Sequence, residues 1–293
     1  MKIFRSVLSI FLIFSLILTI FIFNISSFSR TDNMEKTLKK SDLLTEVKKI
    51  KNSGKVGNQS SMTAVINDVY ATAEEYGIDS KLVDTVIDSD AMKEALGYAA
   101  GNVTDYVING KETPILTKDD LYNVAENNID DWIKQSGISV TDNQKKKILE
   151  GSKEFIPIVV RNLPSSSDIA SGYKSQVEVV QFLFSNTVKV GLVIIDVLLI
   201  LLIIILGRKQ FKWLFDFGMV FGICGIALSV LAIILPDLIL MVPNSADISL
   251  ITTTFTDYLF KPVLIIGFAF IILSILLFII YKTILNKKLR VES

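Results

Sequence analysis

The chain has 293 residues, 51% of them hydrophobic, with a mean hydropathy of +0.50 and equal numbers of basic and acidic side chains, 30 of each. So apolar a composition excludes an ordinary soluble enzyme, yet 20% charged residues require a substantial wet portion. There is no histidine and a single cysteine, Cys224, which removes the commonest general base and metal ligand and rules out an intrachain disulfide.

Residues 1–29 hold the first of four long apolar stretches, Ser6–Ser29, each long enough to cross a hydrocarbon core about 30 Å thick at 1.5 Å per residue. Lys2 and Arg5 precede it, and Ser27-Phe28-Ser29 resembles a small-residue cleavage site. The apolar run exceeds that of a signal peptide, so an uncleaved signal anchor is expected. Residues 30–57 are basic (Arg30, Lys36, Lys39, Lys40, Lys48, Lys49, Lys51, Lys55) and carry apolar residues at Met34, Leu38, Leu44, Val47 and Ile50. They predict a helical stalk continuing outward from the first span, lying on anionic headgroups or facing solvent.

Residues 58–166 show apolar spacing of three and four and no period-two alternation, which predicts an all-helical domain. One stripe is Met62, Val65, Ile66, Val69, Tyr70, Ala73 and Tyr76; another is Leu121, Val124, Ala125, Ile129, Trp132 and Ile133. Both read as domain core. Thr117 with Asp120 three residues on is a capping box, Thr141 is a second cap, and Gly77, Gly110 and Gly137 mark helix ends. Pro157 is expected to kink or begin the last turns of its helix. Residues 167–206 predict one continuous stalk helix entering the second span, Val190–Leu206, with Gly172 the weak point; from Asp168 to Leu206 it would be about 60 Å long.

A turn at 207–212 leads to the third span at 213–235. A loop at 236–261 follows, then the fourth span at 262–281 and a tail at 282–293. Arg208, Lys209 and Lys212 fill the turn and Lys282, Lys287, Lys288 and Arg290 the tail, whereas the 236–261 loop carries Asp237, Asp247 and Asp257 against Lys261. The positive-inside rule then places both termini in the cytoplasm and residues about 30–185 and 236–261 outside. Trp213 and Tyr281 suit the inner interface and Tyr258 the outer. A cysteine-free exported domain in a chain rich in Ile, Lys and Asn suits a Gram-positive bacterial membrane protein. The sequence thus reads as an all-α, four-transmembrane-helix bundle with an all-helical extracytoplasmic domain between the first and second spans.

No catalytic, metal or cofactor site emerges. Asp88-Ser89-Asp90 lacks the glycine and later glutamate of an EF-hand, and Asp119/Asp120 and Asp130/Asp131 read as a helix's first turn and an exposed face. Ser171-Gly172-Tyr173-Lys174 lacks the companion motifs of penicillin-binding enzymes, and no Gly-rich phosphate loop follows a strand. Asp196 is the sharper feature. It falls mid-way along the second span, where an ionised carboxylate costs a few kcal/mol or more unless paired, protonated or facing water. It reads either as an ion or proton site or as an assembly residue bonded to Ser229 or a backbone carbonyl, with Lys189 seven residues earlier on the same face. Gly218, Gly222, Gly225, Ser229 and Ala232 line one face of the third span, a packing surface on which Asp196 is expected to lie.

The order of one span, a large outer domain and three further spans resembles permeases of the FtsX and MacB type, which couple cytoplasmic ATPases to extracytoplasmic work. Here only Met1-Lys2-Ile3-Phe4-Arg5 precedes the first span and Gly207–Lys212 is short for docking an ATPase, so no residue role carries over. The chain is also similar to uncharacterised four-span membrane proteins of Gram-positive bacteria. The expectation is a non-enzymatic scaffold, sensor or accessory subunit whose outer domain binds a protein partner. The alternative is a transport component, permease-like or ion-conducting, that uses Asp196. The partners expected are the lipid bilayer and a protein, with no nucleic acid.

Overall fold

The computed structural model describes residues 2–42, 44–45, 47–48, 61–111, 116–162, 166–240 and 246–292. Every described element is a helix: α1 (Lys2–Phe28), α2 (Thr31–Lys39), α3 (Ser61–Glu75), α4 (Ser80–Asp88), α5 (Asp90–Asn109), α6 (Lys118–Ser136), α7 (Asp142–Asn162), α8 (Ser166–Leu183), α9 (Asn186–Gly207), a single 3-10 turn (Lys209–Phe211), α10 (Lys212–Leu240) and α11 (Ala246–Glu292). Four segments are long and apolar enough to cross a membrane: Ile3–Phe28, Lys174–Gly207, Lys212–Leu238 and Tyr258–Lys287. The chain is therefore an all-α, four-span membrane protein with a long helical insertion between its first and second spans. It divides into two compact units, one of the spans and one made chiefly of residues 28–181.

In the helical insertion, local chemistry sets each boundary. The carboxylate of Asp79 accepts from the Lys81 amide to start α4, and the Ser89 hydroxyl accepts from the Met92 amide to start α5. Thr117 and Asp120 form the reciprocal capping box that opens α6, and Thr141 with Gln144 does the same for α7. Gly77, Gly110 and Gly137 all adopt left-handed φ, 66° to 69°, where a Cβ is disfavoured and helices stop. Between these punctuation marks, Leu82, Ala95, Ala99, Leu121, Ala125, Ile129, Trp132 and Ile156 are buried together as the core. Leu121, Ala125, Ile129 and Trp132 belong to the second predicted stripe. In the first, Val69 is buried, and the side chains of Met62, Val65 and Ile66 lie outside the described residues, as do Lys49, Lys51 and Lys55 of the basic stretch. Pro157 lies inside α7.

Three expectations need correction. The first helix does not run unbroken into the next: α1 ends at Phe28, Ser29 and Arg30 are not helical, and α2 packs against α5. Glycines make this possible: a Cβ at Gly101 would lie 2.5 Å from the Cα of Thr31, and one at Gly97 would lie 2.6 Å from that of Glu35. Lys39 pairs with Glu94 (2.7 Å) and Lys48 with Asp84 (2.7 Å), so these two basic side chains of the 30–57 segment face domain carboxylates.

Nor do residues 168–206 form one helix. Gly172 stays helical, and the break falls at Phe184 and Ser185, where extended Ser185 caps α9 by accepting from the Val188 amide. Finally, much of 236–261 is helical, since α10 runs through Pro236 and α11 through Pro262. A proline removes one helical bond, but unwinding apolar backbone leaves several groups unsatisfied, so the helices persist.

Among the spans α10 is the most enclosed, with Val220, Cys224 and Leu228 fully buried. Leu8 and Leu12 of α1, Ile203 of α9 and Phe217, Val220 and Cys224 of α10 make one apolar cluster. Leu228 and Ala232 of α10 with Phe260 and Val263 of α11 make another. The turn between α9 and α10 is tight: a Cβ at Gly207 would fall 2.6 Å from the Trp213 nitrogen.

Candidate functional site

A mid-span carboxylate must find partners, because lipid offers none. Asp196 is 6% exposed and meets α1, where the Thr19 hydroxyl donates to its Oδ2 at 2.8 Å. Its other oxygen, Oδ1, is buried with no hydrogen-bond partner among the described residues. Two turns along the same face, the Lys189 ammonium donates to the hydroxyl of Ser26, also on α1. The two contacts share one register. Thr19 and Ser26 are seven apart in one direction and Asp196 and Lys189 seven apart in the other, so α1 and α9 run antiparallel with a polar seam repeating every two turns. One repeat further, Leu12 and Ile203 fall at the same register and are both 0% exposed, which makes the seam apolar and closely packed at that level.

A second intramembrane acid escaped the sequence reading. Asp216, one turn into α10, is paired with Arg5 of α1, the Nε lying 3.2 Å from Oδ2 with both side chains largely buried. The atoms are close enough for an ion pair, though not aligned as a hydrogen bond. In the sequence Asp216 is obscured by Lys212 and Trp213 beside it, which read as interface, and Arg5 by its place as the charge preceding a signal anchor. The warning sign was available: an acid inside the third apolar stretch with a single arginine at the matching end of the first.

The small-residue face has a different partner from the one expected. A Cβ at Gly218 would meet the Phe278 ring at 3.0 Å, one at Gly222 the Ser274 hydroxyl at 2.9 Å, and one at Gly225 the Gly267 carbonyl at 2.6 Å. Gly218, Gly222 and Gly225 therefore seat α11, with the Ser274 hydroxyl donating to the Gly218 carbonyl at 2.6 Å. Ser229 abuts Gly267 rather than Asp196, and Ala232 packs with Phe260 and Val263. Asp196 and the glycine face thus serve separate seams, α1–α9 and α10–α11. Small residues suit the second because backbones approach closely there, whereas a carboxylate needs a hydroxyl donor, which α1 supplies.

Helix α1 is the shared element. It contacts α9 through Thr19 and Ser26, α10 through Arg5 and through the Cys224 thiol, which donates to the Ile13 carbonyl at 3.6 Å, and α11 through Asn24, which donates to the Leu259 carbonyl at 2.6 Å. At the Arg5 end, Trp213, Phe215, Phe217, Phe278 and Tyr281 form edge and tilted ring pairs, consistent with an interfacial aromatic layer. In the helical insertion, several of the other weighed residues have structural contacts: Asp88 pairs with the buried Lys93 (2.6 Å), Ser89 is a cap, Asp130 pairs with Lys145 (2.7 Å) and Asp120 closes its box. Comparison of the chain with protein-family models, with curated proteins and with solved structures gives no match, so the resemblance to permeases rests on the order of the spans alone.

Proposed function

We propose that this four-span protein is a membrane transport component in which Asp196 takes up and releases a proton. The observation that carries the reading is the contrast between two buried intramembrane acids. Each has a buried oxygen without a hydrogen-bond partner among the described residues, but Asp216 has an arginine 3.2 Å away, whereas Asp196 is met by the Thr19 hydroxyl. An ionised acid in lipid is held by a cation, and one with no counter-charge fixed beside it is the better placed to bind and release a proton. A carboxylate with one hydroxyl beside it also falls well short of the roughly six to eight oxygens a calcium ion takes, which favours a proton over a hard metal ion. The Arg5–Asp216 pair then fixes one end of α1 to α10, holding Thr19 opposite Asp196.

The test is flux. Purified full-length protein in sealed vesicles holding a pH-sensitive dye is given an acid-outside step with a potassium and valinomycin clamp. Wild-type vesicles acidify faster than protein-free ones; Asp196→Asn, folded by its elution profile, acidifies no faster than empty vesicles. Equal rates for wild type and Asp196→Asn overturn the proposal.

A second reading, a scaffold, sensor or accessory subunit, is favoured by the separate core of the helical insertion. The excess of lysine and arginine in the 207–212 turn and the tail supports an extracytoplasmic insertion, where a protein partner would meet it. Mild crosslinking in cells followed by purification discriminates the two: an extracytoplasmic partner held by the insertion supports the second reading, and none supports the first.

A further inference from the structure

The turn between α9 and α10 holds a side chain that its backbone does not favour. Phe211 has a φ of 54°, in the left-handed region, where a Cβ crowds its own backbone and a bulky residue is an outlier. The turn is tight, with Gly207 set against the Trp213 backbone, and a glycine at position 211 would meet that φ without strain. The chain instead carries a phenyl there and leaves it 48% exposed, so the ring gains little packing within the protein.

Around that ring the charge has one sign. Arg208, Lys209 and Lys212 bracket Phe211, and all three are exposed. Phe215, in the first turn of α10 and also exposed, forms a tilted ring pair with Tyr281, the centroids 5.7 Å apart, which brings exposed Lys282 of α11 to the same end of the bundle. Asp216 is already taken by Arg5, and none of Arg208, Lys209, Lys212 and Lys282 is in an ion pair among the described residues. The ring layer of Trp213, Phe215 and Tyr281 puts this cluster where a span meets the headgroups.

We propose that this turn is a binding site for an anionic phospholipid, its phosphate held by Arg208, Lys209, Lys212 and Lys282 and its glycerol and upper acyl chain packed on Phe211 and Phe215. Free phosphate would engage the cations alone and leave both exposed rings uncovered. A zwitterionic lipid covers the rings but brings a cation of its own against the cluster. A lipid with a net negative headgroup satisfies both halves, and the strain at Phe211 is what holds a ring at headgroup level beside the cations. The site lies apart from the α1–α9 seam and stands whether or not Asp196 moves protons.

The test uses Trp213, partly exposed and next to Lys212, as the reporter. Full-length protein in a Trp132→Phe background, which leaves Trp213 the sole tryptophan, is placed in vesicles of phosphatidylcholine and phosphatidylglycerol. Either lipid is brominated on its acyl chains, and the two quenching curves give the relative affinity for phosphatidylglycerol in each variant. An interfacial cation contributes about fivefold, so the parent prefers phosphatidylglycerol by about tenfold or more, and Arg208→Gln/Lys209→Gln returns to within about twofold of parity. Lys287→Gln, which removes an exposed cation further along the tail, leaves the preference near the parent's. Phe211→Gly melts no lower than its parent, since the turn is relieved, yet loses several-fold in preference. Parent curves that coincide, losses at Lys287 as large as at Lys209, or full preference in Phe211→Gly overturn the proposal. So does a preference abolished by millimolar inorganic phosphate, which would mark a site for the free anion.

Discussion

Replacing Gly101 by alanine tests the way α2 is clamped onto the helical domain. The new Cβ would lie 2.5 Å from the Thr31 Cα and 3.1 Å from its side chain, and the first of these is backbone that no rotamer change can move. Ordinary carbon contacts are about 3.5–4.0 Å, so α2 has to retreat by about 1 Å. That retreat loosens Met34, Thr37 and Leu38, all buried, and lengthens the Thr31–Asn102 hydrogen bond, already 3.3 Å. Overpacking of this kind costs about 3 kcal/mol, at the upper end of its range, and alanine returns about 1 kcal/mol in helix propensity. The net loss is about 2 kcal/mol, a melting shift of roughly 6 °C for a domain of this size. The assay is thermal unfolding of the full-length protein followed by the fluorescence of buried Trp132, in a Trp213→Phe background that leaves it the sole tryptophan. Gly101→Ala that melts with or above its parent refutes the close approach.

Three further outcomes follow from the same geometry. Asp120 is held below the usual carboxylate range, first by the Thr117 amide and then by its hydroxyl. Its lowered folded value means that this stability is present above the unfolded value of about 3.9 and lost as pH falls below it, so Asp120→Asn flattens the acid limb of the domain's denaturation profile. Arg5→Met and Asp216→Asn each strand a buried charge and reduce protein accumulation in the membrane, whereas the double variant recovers part of it; additive losses contradict the ion pair. Reporters active only outside the membrane work after Asn102, and cytoplasmic ones after Lys209 and Ser293; an exported reporter active at Lys209 overturns the orientation.

What the sequence revealed depended on whether a feature was local. Thr117 with Asp120, Thr141, and the three left-handed glycines act within a few residues, so spacing alone exposed them. The four spans were equally plain, because lipid demands unbroken apolar length. Pairing between helices was another matter. Asp196 stood out as an expensive residue, yet nothing in its own helix names Thr19, and the glycines of α10 offered an equally good surface that α11 in fact occupies. Gly97 and Gly101 carry a four-residue spacing in α5 that suits a close-packing face, but the alanines around them blur it. The break at Ser185 was also written locally, as a serine preceding Val188 by three, and was obscured by continuous hydropathy on both sides.

The most direct measurement of the central claim uses a hydrophobic carbodiimide, which attacks protonated carboxyls in apolar surroundings and leaves a stable acylurea. Vesicles of full-length protein are treated for increasing times, and each sample is split between the flux assay and peptide mass spectrometry. The account predicts that adduct accumulates on Asp196, that Asp216 stays unmodified behind Arg5, and that residual flux falls in proportion to the fraction of Asp196 labelled, reaching zero when labelling is complete. Full flux from protein labelled at Asp196, or flux lost with the adduct on Asp216 instead, contradicts it.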